Sequence, residues 1–244
     1  MSRQQTVTAT VLERRNWMES DRILTLLTRE YGKMDVVARG ARKAGSHLSA
    51  STEPFVFAEM HVAKGRAKNY LTQAQIHTTF PGIRKDYQRL THALALSELY
   101  SAFTLQEQAV PKVFDLLIKS LSFLKDHPKP LVVLIWSALN LMQLEGVLPA
   151  WLHCNIKGTP LIEPVALVSP TAGGYVSQAA ALQFFDRFEV RKEVLIGLSK
   201  IIECVAPPKN LKFSAESLSV LLAIWKNLTH MPFPIIKNIL ESSY

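Results

Sequence analysis

At 244 residues the chain has room for two domains, and a hydrophobic content of 48% is enough for a real core, which excludes wholesale disorder. The 28 Lys and Arg residues outnumber the 20 Asp and Glu residues and leave a formal charge of +8. A basic chain is drawn to polyanions, and nucleic acid is the commonest of them.

Residues 1–15 hold three arginines and no apolar block of signal-peptide length, so no export signal is expected. Residues 6–12 alternate apolar with hydroxyl side chains and are rich in β-branched types, which predicts a first strand ending at Arg14-Arg15. Residues 22–28 and 33–39 predict a hairpin about the tight turn Tyr31-Gly32-Lys33. Residues 55–62 and 70–76 predict a second one about Lys64-Gly65-Arg66. Five short strands joined mainly by tight turns suit a small barrel. The OB-fold is the five-stranded form most associated with nucleic acid, although an SH3-like barrel would show the same periodicity.

After Pro81-Gly82 the pattern becomes helical: Leu90, Ala93, Leu96, Leu99, Tyr100 and Phe103 recur at helical spacing. Pro111 opens a helix over 113–125, and Pro128 and Pro130 open another from Leu131 to Leu144, closed by Gly146 and Pro149. That helix is the most apolar run in the chain. It is too short to span a bilayer and is interrupted by Ser137, Asn140 and Gln143, so it predicts a buried core helix. Residues 147–176 carry Pro149, Pro160, Pro164, Pro170 and Gly173-Gly174 and predict an irregular stretch. Helices resume over 178–204 and 215–228, on either side of Pro207-Pro208. The two cysteines, Cys154 and Cys204, give no disulfide framework and suit a reducing cytoplasm. The chain therefore reads as α+β, with a five-stranded barrel over 1–80 and a mostly helical domain over 81–244.

Residues 1–80 carry twelve basic and seven acidic side chains, most of the excess charge on a third of the length. The cations gather at the connections. Arg14 and Arg15 end the first strand, Arg22 starts the second, and Lys33 follows the first hairpin turn. Arg39, Arg42 and Lys43 end the third strand, and Lys64, Arg66 and Lys68 form the second hairpin turn. Gly40 and Gly65 among them let backbone and cations approach a phosphate chain closely. These ten cations are the candidate nucleic-acid contacts. Trp17, Tyr31, Phe57 and Tyr70 are candidates for base stacking, although aromatic residues in so small a barrel usually belong to its core.

Nothing in the sequence suggests an enzyme or a small-molecule substrate. It has no phosphate-binding loop of the GxxxxGK[ST] kind and no GxSxG elbow. The seven histidines are scattered, and His153 beside Cys154 is the one pair that sets a base next to a nucleophile.

The stretch from Val11-Leu12-Glu13-Arg14-Arg15 to Glu30-Tyr31-Gly32-Lys33 resembles the opening of RecO proteins. Val37-Ala38-Arg39-Gly40-Ala41-Arg42-Lys43, Ser51-Thr52-Glu53-Pro54-Phe55 and Leu71-Thr72-Gln73-Ala74 continue the likeness. Leu144-Glu145-Gly146-Val147-Leu148-Pro149 resembles that family's centre. The resemblance implies an N-terminal OB-fold followed by a helical domain, in a cytoplasmic, nucleoid-associated bacterial protein with no membrane attachment. It implies binding to single- and double-stranded DNA, for which the ten cations read from charge placement are the candidate contacts, and annealing of complementary strands. It also implies help for a recombinase loading on DNA coated by single-strand DNA-binding protein, in partnership with RecR.

Many relatives carry zinc in the helical domain on two CxxC pairs. Here Cys154 stands at the first ligand position, Lys157 at the second, and Ser177 and Ala180 replace the second pair. With three of four thiolates gone, neither zinc nor any other cofactor is expected, and the prolines with Leu161 and Ile162 would hold the loop. Two other readings remain: an RNA-binding OB protein, which 2′-hydroxyl preference would reveal, and a helical interaction scaffold whose barrel is incidental.

Overall fold

The computed structural model describes residues 4–242. The chain divides into two compact units, Met1–Asp126 and His127–Tyr244. In the first, β1 (Gln4–Trp17), β2 (Asp21–Thr28), β3 (Gly32–Ala38), a single 3-10 turn (Ala50–Thr52), β4 (Phe57–Lys64) and β5 (Asn69–Thr78) build a closed barrel. Its strand order is β1-β2-β3-β5-β4. Neighbours are antiparallel except β3 and β5, which run parallel at Val36↔Asn69 and Val37↔Tyr70. This order, closed by a parallel pair, is that of the OB-fold and decides what periodicity left open.

Alternation fills the barrel. Val7, Ala9, Val11, Leu24, Leu26, Met34, Val36, Ala58, Met60, Val62 and Leu71 form one core cluster. Because successive side chains point to opposite faces, a slip of one residue would send a whole strand's set to solvent. β1 runs on to Trp17, past the end at Arg14-Arg15 that alternation predicts. A bulge between Val11 and Glu13 is the reason. It bends the strand so that its first part pairs with β4 (Thr6↔His61) and its last part with β2 (Arg15↔Ile23). Val11 and Leu12 are both buried there, which breaks the period of two.

Three helices complete this unit: α1 (Pro81–Arg84), α2 (Tyr87–Phe103) and α3 (Pro111–Asp126). The Asp86 carboxylate caps α2 by accepting from the Arg89 amide at 3.0 Å. α2 packs on β1, and α3 packs on β2 and α2. The Arg29 guanidinium, in the turn after β2, donates to both Asp115 oxygens on α3 at 3.0 and 3.1 Å. The periodicity changes near residue 80, whereas compactness runs on to Asp126, because these helices pack against the barrel.

The second unit comprises α4 (Pro130–Leu144), β6 (Val165–Ser169), β7 (Gly174–Val176), α5 (Gln178–Ala181), β8 (Phe188–Arg191), α6 (Lys192–Ile201), α7 (Ser214–Thr229) and α8 (Pro234–Glu241). α4 is buried from Val132 through Leu139, as a core helix should be, and packs against α6 and α7. The Trp225 indole of α7 donates to the Met142 sulfur at 3.2 Å. A three-stranded antiparallel sheet, ordered β7-β6-β8, takes up the end of the expected irregular stretch, which is otherwise irregular from 147 to 164, and interrupts the helix expected over 178–204. Strands of three to five residues are too short to set up a readable period. Cys204, expected at the end of the helix over 178–204, follows the end of α6 and is partly exposed. No helix among the described residues is long and apolar enough to cross a membrane.

Candidate nucleic-acid interface

Strand pairing sets Arg15, Ile23, Val37 and Tyr70 on one line across the outer face of β1, β2, β3 and β5. Beside it lies a cleft of about 430 Å³, lined by Arg15 and Trp17 of β1, Ile23 of β2, Asp35 and Val37 of β3, and the turn from Lys64 to Lys68. In OB-folds the face of the second and third strands, with the loops after the first and fourth, is where oligonucleotides bind.

The β4–β5 turn is tight. The Gly65 amide donates to the Lys68 carbonyl at 3.0 Å. A Cβ on Gly65 would stand 2.6 Å from that carbonyl oxygen and 2.9 Å from the Tyr70 ring, so glycine is required by close approach. Lys64, Arg66 and Lys68 are exposed around it. Lys68 Nζ lies 4.4 Å above the Trp17 ring centre, and the Arg39 guanidinium lies 4.3 Å above Tyr70. Two of the four aromatic candidates therefore border this face, each with a cation over it. Tyr31, exposed in the β2–β3 turn, does not line the cleft, and neither does Phe57, which packs on His77 and Phe114.

Arg39, Arg42 and Lys43 are exposed after β3. Arg42 ties their loop to the β1–β2 turn: its amide donates to the Ser20 carbonyl at 2.9 Å and Nη1 to the Glu19 carbonyl at 3.0 Å. The Gly40 amide adds a bond to Asp21 Oδ1 at 2.8 Å.

Three of the ten candidate cations serve the fold instead. Arg22 is only 13% exposed and donates to Glu53 at 3.1 Å, to Thr52 Oγ1 at 2.5 Å and to the Ser49 carbonyl at 3.3 Å. Arg14, expected at the end of the first strand and found three residues inside it, pairs with the same Glu53 carboxylate, as does Arg84 at 3.9 Å. Lys33 Nζ donates to the Ser101 carbonyl at 2.6 Å. One carboxylate thus serves three guanidiniums. Glu53→Gln is expected to lower stability by about 1–2 kcal/mol, because the charge-assisted hydrogen bonds to the largely buried Arg22 guanidinium weaken. The check is the urea midpoint, which should fall with an unchanged m-value.

The cleft also holds two carboxylates that a search for cations overlooks. Asp35 is exposed on β3 and accepts from Thr25 Oγ1 at 2.8 Å. Glu107, with Gln106, reaches the cleft from the connection between α2 and α3. That segment is pinned to the edge of β3: the Lys33 amide donates to the Leu105 carbonyl at 3.4 Å, and the Glu107 amide to the Lys33 carbonyl at 3.0 Å. Glu107 is held in the left-handed region at φ 56°, which costs a non-glycine residue about 1 kcal/mol or more. Asp35 was findable from the sequence, since it alternates with Lys33 and Val37 on one face. Glu107 has no local signal.

In the stretch between α4 and β6, Cys154 is buried and its sulfur accepts the amides of Ser177 at 3.2 Å and Lys157 at 3.5 Å. Burial pushes the thiol up, and these amide donors outweigh it, bringing it down to about 7. Its bonded partners are backbone amides rather than His153, so the arrangement is not that of a Cys–His dyad. A tetrahedral metal needs four good donors, and the ammonium of Lys157 and the methyl of Ala180 are none. The described residues contain no group of three His, Cys, Asp or Glu able to hold a metal. Leu161 is buried as expected, while Ile162 is 77% exposed and contributes no packing.

The family model described as recombination protein O N terminal matches residues 1–80, and that described as recombination protein O C terminal matches residues 84–224. A protein of Desulfitobacterium hafniense named DNA repair protein RecO is 36% identical over 175 residues, covering 72% of this chain and 64% of its own. Its namesake in Gloeobacter violaceus is 36% identical over 161 residues, covering 65% of this chain and 62% of its own. That of Bacillus subtilis is 32% identical over 144 residues, covering 59% and 56%. The chain thus spans less than two thirds of the length of each of these relatives.

Proposed function

Because the chain belongs to the recombination protein O family, we propose that it works in DNA repair by holding single-stranded DNA on the outer face of its barrel. The observation that supports this reading is the cleft where exposed Arg15, Lys64, Arg66 and Lys68 surround Trp17, at the position OB-folds use for oligonucleotides. The cations neutralise phosphates and supply the affinity, and Trp17 offers a ring for a base to stack on. Arg39, Arg42 and Lys43 extend the basic surface toward a second strand, single or duplex. Two strands whose charge is neutralised on one protein approach without mutual repulsion, and complementary pairing then joins them. None of these steps breaks a covalent bond or calls for a metal. In this reading the protein anneals strands and helps a recombinase load on DNA covered by single-strand DNA-binding protein, with RecR as its companion.

The test is a titration of fluorescent single-stranded DNA with the protein at several salt concentrations, alongside RNA of the same sequence. Affinity should fall steeply with salt, because each neutralised phosphate releases counterions, and DNA should bind no more weakly than RNA. Absence of binding at low salt, or a clear preference for RNA, would sink the proposal.

A further inference from the structure

The cleft beside the β4–β5 turn is lined by charges of both signs, contributed by different segments. The cations Lys64, Arg66 and Lys68 come from the turn, and Arg15 comes from β1. The carboxylates come from β3 (Asp35) and from the segment pinned to its edge (Glu107). Topology places the segments around the same stretch of β3. Parallel pairing with β5 begins at Val36↔Asn69, so the turn before Asn69 and the segment bridged to Lys33 both flank the residues before Val36. All six charged side chains border one space of about 430 Å³, yet no ion pair among the described residues joins any of these cations to Asp35 or Glu107. Salt-linked cations would close such a cleft; this one stays open between them.

A strand entering it faces two constraints. Its phosphates are attracted by the cations and repelled by the carboxylates, so the sugar-phosphate chain follows the turn and Arg15. The bases then point toward Trp17, Asp35 and Glu107. A carboxylate only accepts hydrogen bonds. Cytosine and adenine offer exocyclic amino groups to such an acceptor, whereas thymine presents two carbonyl oxygens flanking a single N–H. From this we infer that Asp35 and Glu107 tilt the cleft toward amino-bearing bases and against thymine, superimposing a base preference on a site whose affinity comes from phosphate. The inference rests on the reading of this face as the DNA site.

The test compares oligo-dC with oligo-dT of equal length by fluorescence anisotropy, at mildly alkaline pH and one salt concentration. It uses the full chain and the double variant Asp35→Asn, Glu107→Gln. Both amides keep the shape of the side chain they replace, and the amide oxygen introduced on β3 can still accept from Thr25. The wild type should bind oligo-dC about tenfold more tightly, the discrimination of one good amino–carboxylate contact. The double variant should bring the two affinities together, mainly by binding oligo-dT more tightly, since an amide donates as well as accepts. The dependence on salt should be the same for both proteins, because the phosphate contacts are untouched. Equal wild-type affinities with a steep salt dependence would overturn the inference and leave the DNA reading standing. So would a preference that survives the double substitution. Binding of neither oligonucleotide would overturn both.

Discussion

Replacing Arg15, Lys64, Arg66 and Lys68 together by alanine is expected to weaken single-stranded DNA binding by about two to three orders of magnitude near 0.1 M salt. Each phosphate neutralised on a single strand adds about 0.7 to the slope of log affinity against log salt. Four lost contacts should therefore flatten the slope by about 3, and at ~0.1 M each is worth roughly a factor of five relative to 1 M. The loss is largest where Lys68 also leaves the Trp17 ring, since that cation holds the ring's exposed face in place. Stability should hardly change, because exposed charges without ion-pair partners contribute about 0–1 kcal/mol each. The contrast with Arg22 and Lys33 is diagnostic. Their heads are committed to Glu53, Thr52 and the Ser101 carbonyl, so their substitution should lower stability and leave the salt slope alone. A quadruple variant with the wild-type slope would remove the cleft from the DNA path.

Gly32→Ala should lower the stability of the barrel by about 2–4 kcal/mol, among the largest effects of any single methyl. Two costs add. Gly32 sits at φ +71°, where a side chain strains the backbone. A Cβ there would also stand 1.9 Å from the Gln108 carbonyl oxygen and 2.6 Å from its carbon. Neither atom can rotate aside, so the Leu105–Gln108 segment has to leave β3 and carry Glu107 with it. Gly40→Ala is the control. Its φ of +64° is similar, but the added methyl would meet only the flexible Lys43 side chain at 3.6 Å, so a loss of about 1 kcal/mol is expected. Denaturant unfolding of the two variants checks the pair. If they lose the same amount, the clash with Gln108 carries no weight.

The barrel was legible because its inward residues alternate along most of each strand, from Val7 through Leu71, and because Gly32 and Gly65 mark real turns; the bulge in β1, where Val11 and Leu12 are both buried, is where alternation fails. The cleft was half legible. Basic side chains at turns announce themselves, so Arg15, Lys64, Arg66 and Lys68 were found, but sequence cannot say which cations a carboxylate has already claimed. Glu53 claims Arg14 and Arg22 from across the fold, and a main-chain carbonyl claims Lys33. Glu107 lay beyond reach for the opposite reason: it enters through a chain connection whose path only tertiary packing determines. The short strands β6, β7 and β8 gave too few residues for any periodicity, and the prolines around β6 and β7 pointed only to an irregular stretch.

The edge of β3 has a consequence for how the molecule can be cut. The family models divide the chain between residues 80 and 84, where the barrel ends. Yet the strip that covers this edge, the carboxylate in the cleft, the acceptor for Lys33 and the partner of Arg29 all come from residues 101–115. A fragment stopping at the barrel would leave main-chain donors and acceptors bare along β3, an invitation to pair with another chain. The smallest inheritable or transplantable piece that keeps the compact unit whole therefore runs to Asp126, and the two helices α2 and α3 travel with the barrel because they pack on it and hold the segment that borders the cleft.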